Sequence, residues 1–285
     1  MASFTGALNL RAMGFCGADD SASPEHLQLL SIHYPWIEWG ILFRPDKEGT
    51  PRYATAAWVE KLCRINKETG NVMRLAGHLC GERCQQVLDG DAAFIKQLQE
   101  MGFGRVQVNA TKANSVNVSP DKLEEIADQL RSCILEVPEI EWIFQLNNET
   151  RPLFDHLVEI SFLEAQGLPP NISVLYDASC GLGVEADEYQ EPLIINDQEV
   201  ASGYAGGMGP HNIEDVLSKV ARSSKGKKVW IDMESSLRTS VVPDKYSPDT
   251  PADTFSIDKC FKCVLAGSRN FPNSLQTSRI SLLSI

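Results

Sequence analysis

The sequence predicts an α/β fold and, within that class, a single (β/α)8 TIM barrel with a parallel core of eight strands. Short apolar runs rich in Val, Ile and Trp alternate with amphipathic stretches along the chain, which is typical of βαβ units. The alternation occurs eight times without a long structureless insertion, and barrels of roughly 250 residues form one domain. These observations favour a closed barrel over an open doubly wound sheet.

The eight predicted strands are short apolar runs bounded by polar residues and glycines. They cover residues 8–15, 39–43, 72–77, 105–109, 142–146, 173–176, 201–205 and 228–231. We also predict that the third βα unit is a longer one.

Start signals and apolar periodicity predict the helices. Ser23-Pro24 and Ser119-Pro120 each place a hydroxyl that can accept from a free amide before a proline that suits the first helical turn. Apolar residues at helical spacing predict three further stretches. These stripes are Phe94, Leu98 and Met101; Leu123, Ile126, Ala127 and Leu130; and Ile213, Val216, Leu217 and Val220. Additional helices are predicted over residues 55–67, 151–164 and 257–265.

Composition and charge narrow the class of protein. The chain has 38 acidic against 26 basic side chains and a net charge of −12, which argues against non-specific nucleic-acid binding. No apolar run approaches the roughly 18 residues of a membrane span, and residues 1–13 lack a signal-peptide pattern. We therefore predict a cytoplasmic monomer or homodimer with no membrane or nucleic-acid partner. The eight cysteines are scattered through a long chain and are expected to be free thiols.

The domain prediction is one barrel over residues 1–285. Residues 242–254 contain three prolines and are predicted to form a surface loop. Residues 270–285 are rich in Ser and Asn and are predicted to form a flexible tail.

The ends of the predicted strands indicate where chemistry takes place. Active sites of parallel barrels lie at the carboxyl ends of the strands, where the following loops converge. The residues at these ends are all polar or glycine: Cys16, Arg44, His78, Asn109, Asn147, Asp177, Gly206-Gly207 and Asp232.

A glycine-rich segment, residues 203–213, runs from the seventh strand into a helix. Glycines allow close approach of a ligand, and free amides at a helix start attract anions. Residues 232–236 follow the eighth strand with small side chains. Phosphate sites after strands seven and eight recur in barrels, so we predict one here; the alternative is a tight turn that binds nothing.

In their order and spacing, these segments resemble the phosphoribosylanthranilate isomerase family, barrel enzymes of tryptophan biosynthesis. The similar segments are Phe15-Cys16-Gly17, residues 39–43 with Pro51-Arg52-Tyr53, Val106-Gln107-Val108, Tyr176-Asp177 with residues 181–183, and residues 206–213, 231–236 and 253–258. The resemblance extends through most of the chain.

The resemblance implies an Amadori rearrangement, in which an aminoaldose phosphate becomes an aminoketose phosphate without any cofactor or metal. Asp177 would be a protonated general acid and Cys16 a partly ionised general base. Arg52 would bind the carboxylate of the aromatic amine. Gly206, Gly207, Ser235 and Ser236 would hold the phosphate. The other predicted substrate contacts are His78, Gln107, Asn109 and Asp232.

Several positions depart from the family pattern. Gly14 stands where the family usually has lysine, Asn109-Ala110 replaces His-Gly, Cys180 and Leu182 alter the loop after Asp177, and Ser236 replaces a glycine. These changes affect the aromatic half of the site more than the phosphate half. A non-catalytic sugar-phosphate binder remains an alternative, as does a lyase or aldolase, although no predicted strand end offers a Schiff-base lysine.

Individual residues also have simpler interpretations. Cys16 could be a small buried apolar residue, Asp177 a loop cap, and Arg52 a surface partner of Asp46 or Glu48. His211 could contact phosphate or solvent. The spacing His78-x-Cys80-x3-Cys84, with Cys260-x2-Cys263 in a predicted helix, is loose for zinc, so no metal site is predicted.

Overall fold

The eight-stranded parallel barrel is closed in the structure, a computed structural model that describes residues 8–165, 167–177, 187–240 and 253–270. We number the barrel strands β1 to β8 in chain order. They are β1 Asn9–Cys16, β2 Ile37–Phe43, β3 Arg74–Leu79, β4 Arg105–Val108, β5 Glu141–Leu146, β6 Ile172–Asp177, β7 Ala201–Ala205 and β8 Lys228–Met233. Each strand pairs with its neighbours in sequence, and β8 pairs with β1. The predicted (β/α)8 barrel is therefore confirmed.

Helices of the described chain lie between successive strands except between β6 and β7, where the described residues include a two-stranded hairpin of Ile194–Ile195 and Gln198–Glu199. They are α1 Pro24–His33, α2 Ala56–Glu68, α3 Glu82–Leu88, α4 Ala93–Glu100, α5 Leu123–Glu136, α6 Arg151–Ala165, α7 Ile213–Ser224 and α8 Ile257–Gly267. Both α3 and α4 follow β3, so the third unit is extended as predicted.

The two predicted hydroxyl caps are wrong in detail. Ser23 precedes α1, but its hydroxyl donates to the Glu25 carboxylate rather than accepting from an amide. The hydroxyl of Ser119 likewise donates to Asp121, and a short 3-10 turn precedes α5. The carboxylate two residues later in the chain is charged and is therefore a strong hydrogen-bond acceptor. The serine hydroxyl donates to it instead of accepting from a backbone amide.

Apolar side chains fill the layer between strands and helices, where Trp36, Trp39 and Trp142 are among the largest buried groups. The barrel interior is far more polar. Its lower part holds buried Glu38 and Arg105, joined by an ion pair of 2.6 Å. Polar residues are costly in such a position unless they are paired, so this interior depends on specific contacts.

Two predicted irregular segments fall mostly outside the described residues. Of residues 242–254 the structure describes only the last two, which begin a short strand, Asp253–Phe255, paired with Arg238–Ser240. Of residues 270–285 it describes only Asn270. Among the described helices, none is both long and apolar enough to cross a membrane. Seven cysteines within the described ranges are free and buried; Cys180 lies outside them.

Candidate active site

A cavity of about 520 Å³ opens at the carboxyl ends of the strands. It brings together nearly all of the side chains and glycines predicted to bind substrate. The predicted residues that line it are Arg52, His78, Gln107, Asn109, Asp177, Gly206, Gly207, Asp232, Ser235 and Ser236. His211 lines it as well. The loop after β6, which contains Cys180 and Leu182, lies outside the described residues.

Cys16 is placed differently from the other predicted residues. It is 1% exposed and is not part of the described lining of the cavity. Its Sγ lies 3.1 Å from Nδ1 of His78, and it packs with Leu42 and Cys80. Burial raises the pKa of the Cys16 thiol well above its usual value, and the Glu234 carboxylate acts in the same direction. The expectation of a partly ionised Cys16 at neutral pH is therefore wrong for this structure.

Cys16, His78 and Asp232 form a compact cluster. One ligand atom from each lies within 4.8 Å of those of the other two. Burial lowers the pKa of His78 to about 3, with Arg105 adding to the effect. Burial also raises the pKa of Asp232 well above its usual range, with the Glu38 carboxylate adding to the effect. Burial therefore favours the uncharged form of all three side chains.

Two glycines provide the space for this cluster. Gly14 pairs with Asp232 across β1 and β8, and a Cβ at Gly14 would lie 2.2 Å from Oδ1 of that aspartate. Gly40 pairs with Cys16 across β1 and β2. A Cβ at Gly40 would lie 2.8 Å from Nε2 of His78 and 3.0 Å from Sγ of Cys16. Any larger residue at either position would displace a member of the cluster.

Asp177 ends β6, three strands away from β1 around the barrel. It is buried and lines the cavity. The Gln145 side chain donates to its Oδ2 over 2.6 Å. This hydrogen bond holds the carboxyl group at the cavity wall, on the far side of β7 and β8 from Cys16.

The side-chain amides of Gln107 and Asn109, at the end of β4, form part of the cavity wall. Nε2 of Gln107 donates to Oδ1 of Asn109 over 2.5 Å, and Nδ2 of Asn109 lies 3.5 Å from Sγ of Cys80. The pair is buried. It offers amide groups to a ligand in the cavity, and Asn109 stands where the resembled family has a histidine.

The two predicted phosphate segments are joined to each other. Gly206 and Gly207 have φ of 106° and 61°, a left-handed backbone that favours glycine. The Ser236 hydroxyl donates to the carbonyl of Met208, and Asn212 contacts the loop through the carbonyl of Gly207 over 3.1 Å. The loop after β7 and the short turn after β8 therefore form one surface of the cavity.

Arg52 faces this surface. Its guanidinium donates to Glu234 over 2.9 Å and to the Ser235 hydroxyl over 3.2 Å. Asp46, the surface partner considered from the sequence, instead pairs with Arg44 at 3.0 Å. Arg52 is thus held beside the phosphate segments at the cavity mouth.

Sequence reasoning missed a buried contact that ties the loops after β1 and β8 together. Arg238 donates to Asp19 Oδ2 over 2.6 Å and to the carbonyl of Gly17 over 2.7 Å. Burial alone would raise the pKa of Asp19, but hydrogen bonds from Ser21, the Arg52 amide and Arg238 outweigh burial and lower it. No local signal reveals this pair, because its members lie 219 positions apart.

Comparisons with known proteins identify no family for this chain. No protein-family model and no curated protein matches the sequence. Among solved structures, octameric Rubisco from Pyrococcus horikoshii is 10% identical with a TM-score of 0.45; the match covers 93% of this chain and 61% of that one. This chain thus spans under two thirds of the Rubisco chain's length.

Two other solved structures are similarly distant. Dihydrodipicolinate synthase from Agrobacterium tumefaciens is 13% identical, with 81% and 71% coverage of the two chains and a TM-score of 0.44. A GH113 β-1,4-mannanase is 9% identical, with 93% and 100% coverage and a TM-score of 0.39. None of the three is a phosphoribosylanthranilate isomerase.

Proposed function

We propose that this barrel is an enzyme of the phosphoribosylanthranilate isomerase type, which rearranges a phosphorylated aminoaldose into an aminoketose phosphate. One observation carries the proposal. A single cavity is bounded by Asp177 on one wall, by His78 and Asp232 with Cys16 buried beside them on the other wall, and by the glycine segment. An acid, a base side and an anion grip are what this reaction requires.

The reaction requires a different role from each wall of the cavity. Asp177 donates a proton to the ring oxygen as the C1–O bond of the sugar breaks, leaving an imine at C1. The opposite wall takes the proton from C2, which forms an enolamine that tautomerises to the ketone. Carbon C1 is reduced and C2 oxidised within one molecule, so no external oxidant or reductant is consumed.

The phosphate grip consists of backbone amides rather than the overall charge of the protein. The net charge of −12 repels an anion, but glycine amides and the turn after β8 present donors at short range. Arg52, beside Ser235, supplies a positive charge for the carboxylate of an aromatic amine. The glycine segment and Arg52 therefore lie close together at the cavity mouth, and both bind anionic groups of the substrate.

The structure changes one detail of the base side. His78 and Asp232 line the cavity, whereas the Cys16 thiol is buried beside them and protonated. We therefore assign the base role to the cluster as a unit. A lyase or aldolase that forms a Schiff base is less well supported, because the described residues that line the cavity include no lysine.

Complementation of a tryptophan auxotroph that lacks the isomerase tests the proposal, together with turnover of phosphoribosylanthranilate by the purified protein. Asp177→Asn should reduce kcat by about 10²–10⁴-fold, the usual contribution of a general acid. Asp155→Asn, at an exposed ion pair of α6, is the matched control and should retain full activity. Folded wild-type protein that neither complements nor turns over the substrate would overturn the proposed function.

A further inference from the structure

We infer that Cys16, His78 and Asp232 form a binding site for a divalent transition metal, with zinc as the best chemical fit. Their ligand atoms lie within 4.8 Å of one another. Sγ of Cys16 and Nδ1 of His78 are 3.1 Å apart. In a tetrahedral zinc site with ordinary bond lengths these two atoms would be about 3.5 Å apart, so only small side-chain movements are needed to admit the ion.

The mixture of donors selects the kind of metal. Calcium and magnesium prefer sites made of oxygen atoms alone, whereas thiolate and imidazole ligands favour zinc. Three protein ligands with a fourth position left open is the arrangement of catalytic zinc sites. Here His78 and Asp232 line the cavity, so the fourth position of a bound ion would face the substrate.

The burial of Cys16 favours a metal ligand over a nucleophile. A cysteine that attacks a substrate must expose its sulfur to the cavity, but Cys16 is 1% exposed and does not line it. A metal ligand need only face the other ligands, and the sulfur does so. The ligand atoms of the three side chains therefore face a common point, where a metal ion would bind.

The space and charge around the cluster agree with this inference. Gly14 and Gly40 leave room in which the three side chains converge. Among the charged groups that act on Asp232, Glu38, Glu234 and Asp177 are acidic and Arg105 is basic. Glu38 is paired with Arg105 and Glu234 with Arg52, so these groups present no net positive charge that would repel a cation.

The proposed metal site does not use the cysteines of the spacing His78-x-Cys80-x3-Cys84, which was considered from the sequence. Cys80 and Cys84 follow His78 closely, but neither belongs to the cluster. Sγ of Cys80 faces the side-chain amide of Asn109 instead. The thiol that reaches His78 comes from β1, 62 positions away.

This inference deepens the proposed function and rests on it for its chemical role. Zinc lowers the pKa of a bound water to about 7, so a zinc-bound hydroxide at the open position could take the C2 proton and become water. That assignment removes the need for an ionised Cys16 to act directly on the substrate. The binding of metal can be measured without any substrate.

The experiment is a titration of chelator-treated, reduced full-length protein with Co²⁺ and Zn²⁺. We expect one equivalent per chain and, with Co²⁺, a thiolate-to-cobalt charge-transfer band in the near ultraviolet. Cys16→Ser should abolish the band, and His78→Gln or Asp232→Asn should weaken binding by more than the roughly 10–100-fold effect of losing an outer partner of a metal ligand. Cys80→Ser is the matched control, being equally buried, and should retain both.

Gly40→Ala provides a second test that keeps every ligand. Its added Cβ would press on His78 and Cys16, so metal affinity should fall while circular dichroism and the other thiols stay unchanged. Absence of stoichiometric binding, or binding that persists in His78→Gln and Asp232→Asn and so comes from other thiols, would overturn the inference. Binding without isomerase activity would refute only the proposed function, and activity unchanged by full removal of metal would refute the catalytic role of the metal.

Discussion

Gly14 is the residue that allows Asp232 to approach β1. The Asp232 carboxyl group occupies the space that a side chain at position 14 would need. Its Oδ1 lies only 2.2 Å from the position of a Cβ added to Gly14. The lysine that the resembled family usually has at this position could not be accommodated with Asp232 in its present place. The presence of glycine at position 14 is therefore linked to the position of the Asp232 side chain.

Gly14→Ala should destabilise the protein by about 1–3 kcal/mol, the usual cost of overpacking, and should displace Asp232. Urea denaturation and the proposed isomerase assay measure the two effects. Gly104→Ala is the matched control because nothing lies within 4 Å of its added Cβ, and it should leave activity unchanged. A Gly14→Ala protein of wild-type stability and activity would contradict this account.

His78 should make stability depend on pH. Its pKa is about 3 in the folded protein and near 6.5 in the unfolded chain, so the unfolded state binds more protons between these values. The free energy of unfolding should therefore decrease as pH falls from 6.5, by at most about 1.4 kcal/mol per pH unit from this group.

Comparison with His78→Gln isolates this contribution, because the raised pKa of Asp232 acts in the opposite direction over part of the same range. Urea denaturation from pH 4 to 8, with chelator present, should show the wild-type and variant curves converging as pH falls. Parallel curves would show that His78 is not buried in its neutral form.

At the scale of elements, the loops after β1 and β8 depend on Asp19 and Arg238. Their side chains are 6% and 3% exposed and 2.6 Å apart. Asp19 also accepts from the backbone amide of Arg52. One carboxylate therefore fixes three loop segments around the cavity mouth.

Asp19→Ala should destabilise the protein by about 1.5–3 kcal/mol, the usual contribution of a hydrogen bond to a charged group, because Arg238 loses this partner but keeps its ion pair with Asp253 at 2.7 Å. Thermal or urea unfolding measures the loss. Asp46→Ala removes an exposed ion pair with Arg44 and should have little effect. Equal effects of the two changes would show that the Asp19 pair is no more important than a surface contact.

For the molecule as a whole, the barrel is unusual in having an ionic lower interior. Arg105 pairs with Glu38 at 2.6 Å and with Glu141 at 2.9 Å, and its guanidinium lies 4.3 Å from the Trp230 ring centroid. Many barrels fill this space with branched apolar residues. A network of this kind stabilises only while every buried charge keeps a partner.

Arg105→Met should therefore destabilise the fold by about 3–5 kcal/mol, since Glu38 loses its partner, whereas Arg11 still pairs with Glu141. Replacing both residues, Arg105→Met with Glu38→Leu, should recover most of the loss. Urea denaturation measures both variants, with Lys96→Met at an exposed pair as the control. A double variant no more stable than the single one would show that the loss comes from packing rather than from an unpaired charge.

The sequence by itself determined the architecture of this protein. The alternation of apolar runs and amphipathic stretches depends on local periodicity, so it predicted all eight strands, the long third unit and the strand ends. Those ends included His78, Asp177 and Asp232, because the topology of a parallel barrel places them at one mouth whatever their contacts are.

Only the tertiary structure decided which of these residues touch. The contact of Cys16 with His78, the burial that keeps the thiol protonated, and the Asp19–Arg238 pair join positions far apart in the chain. The contact of Cys16 with His78 depends on the space left by Gly40, and the approach of Asp232 depends on the space left by Gly14. Local sequence patterns carry no record of such space, because burial and electrostatic potential arise only when the barrel closes.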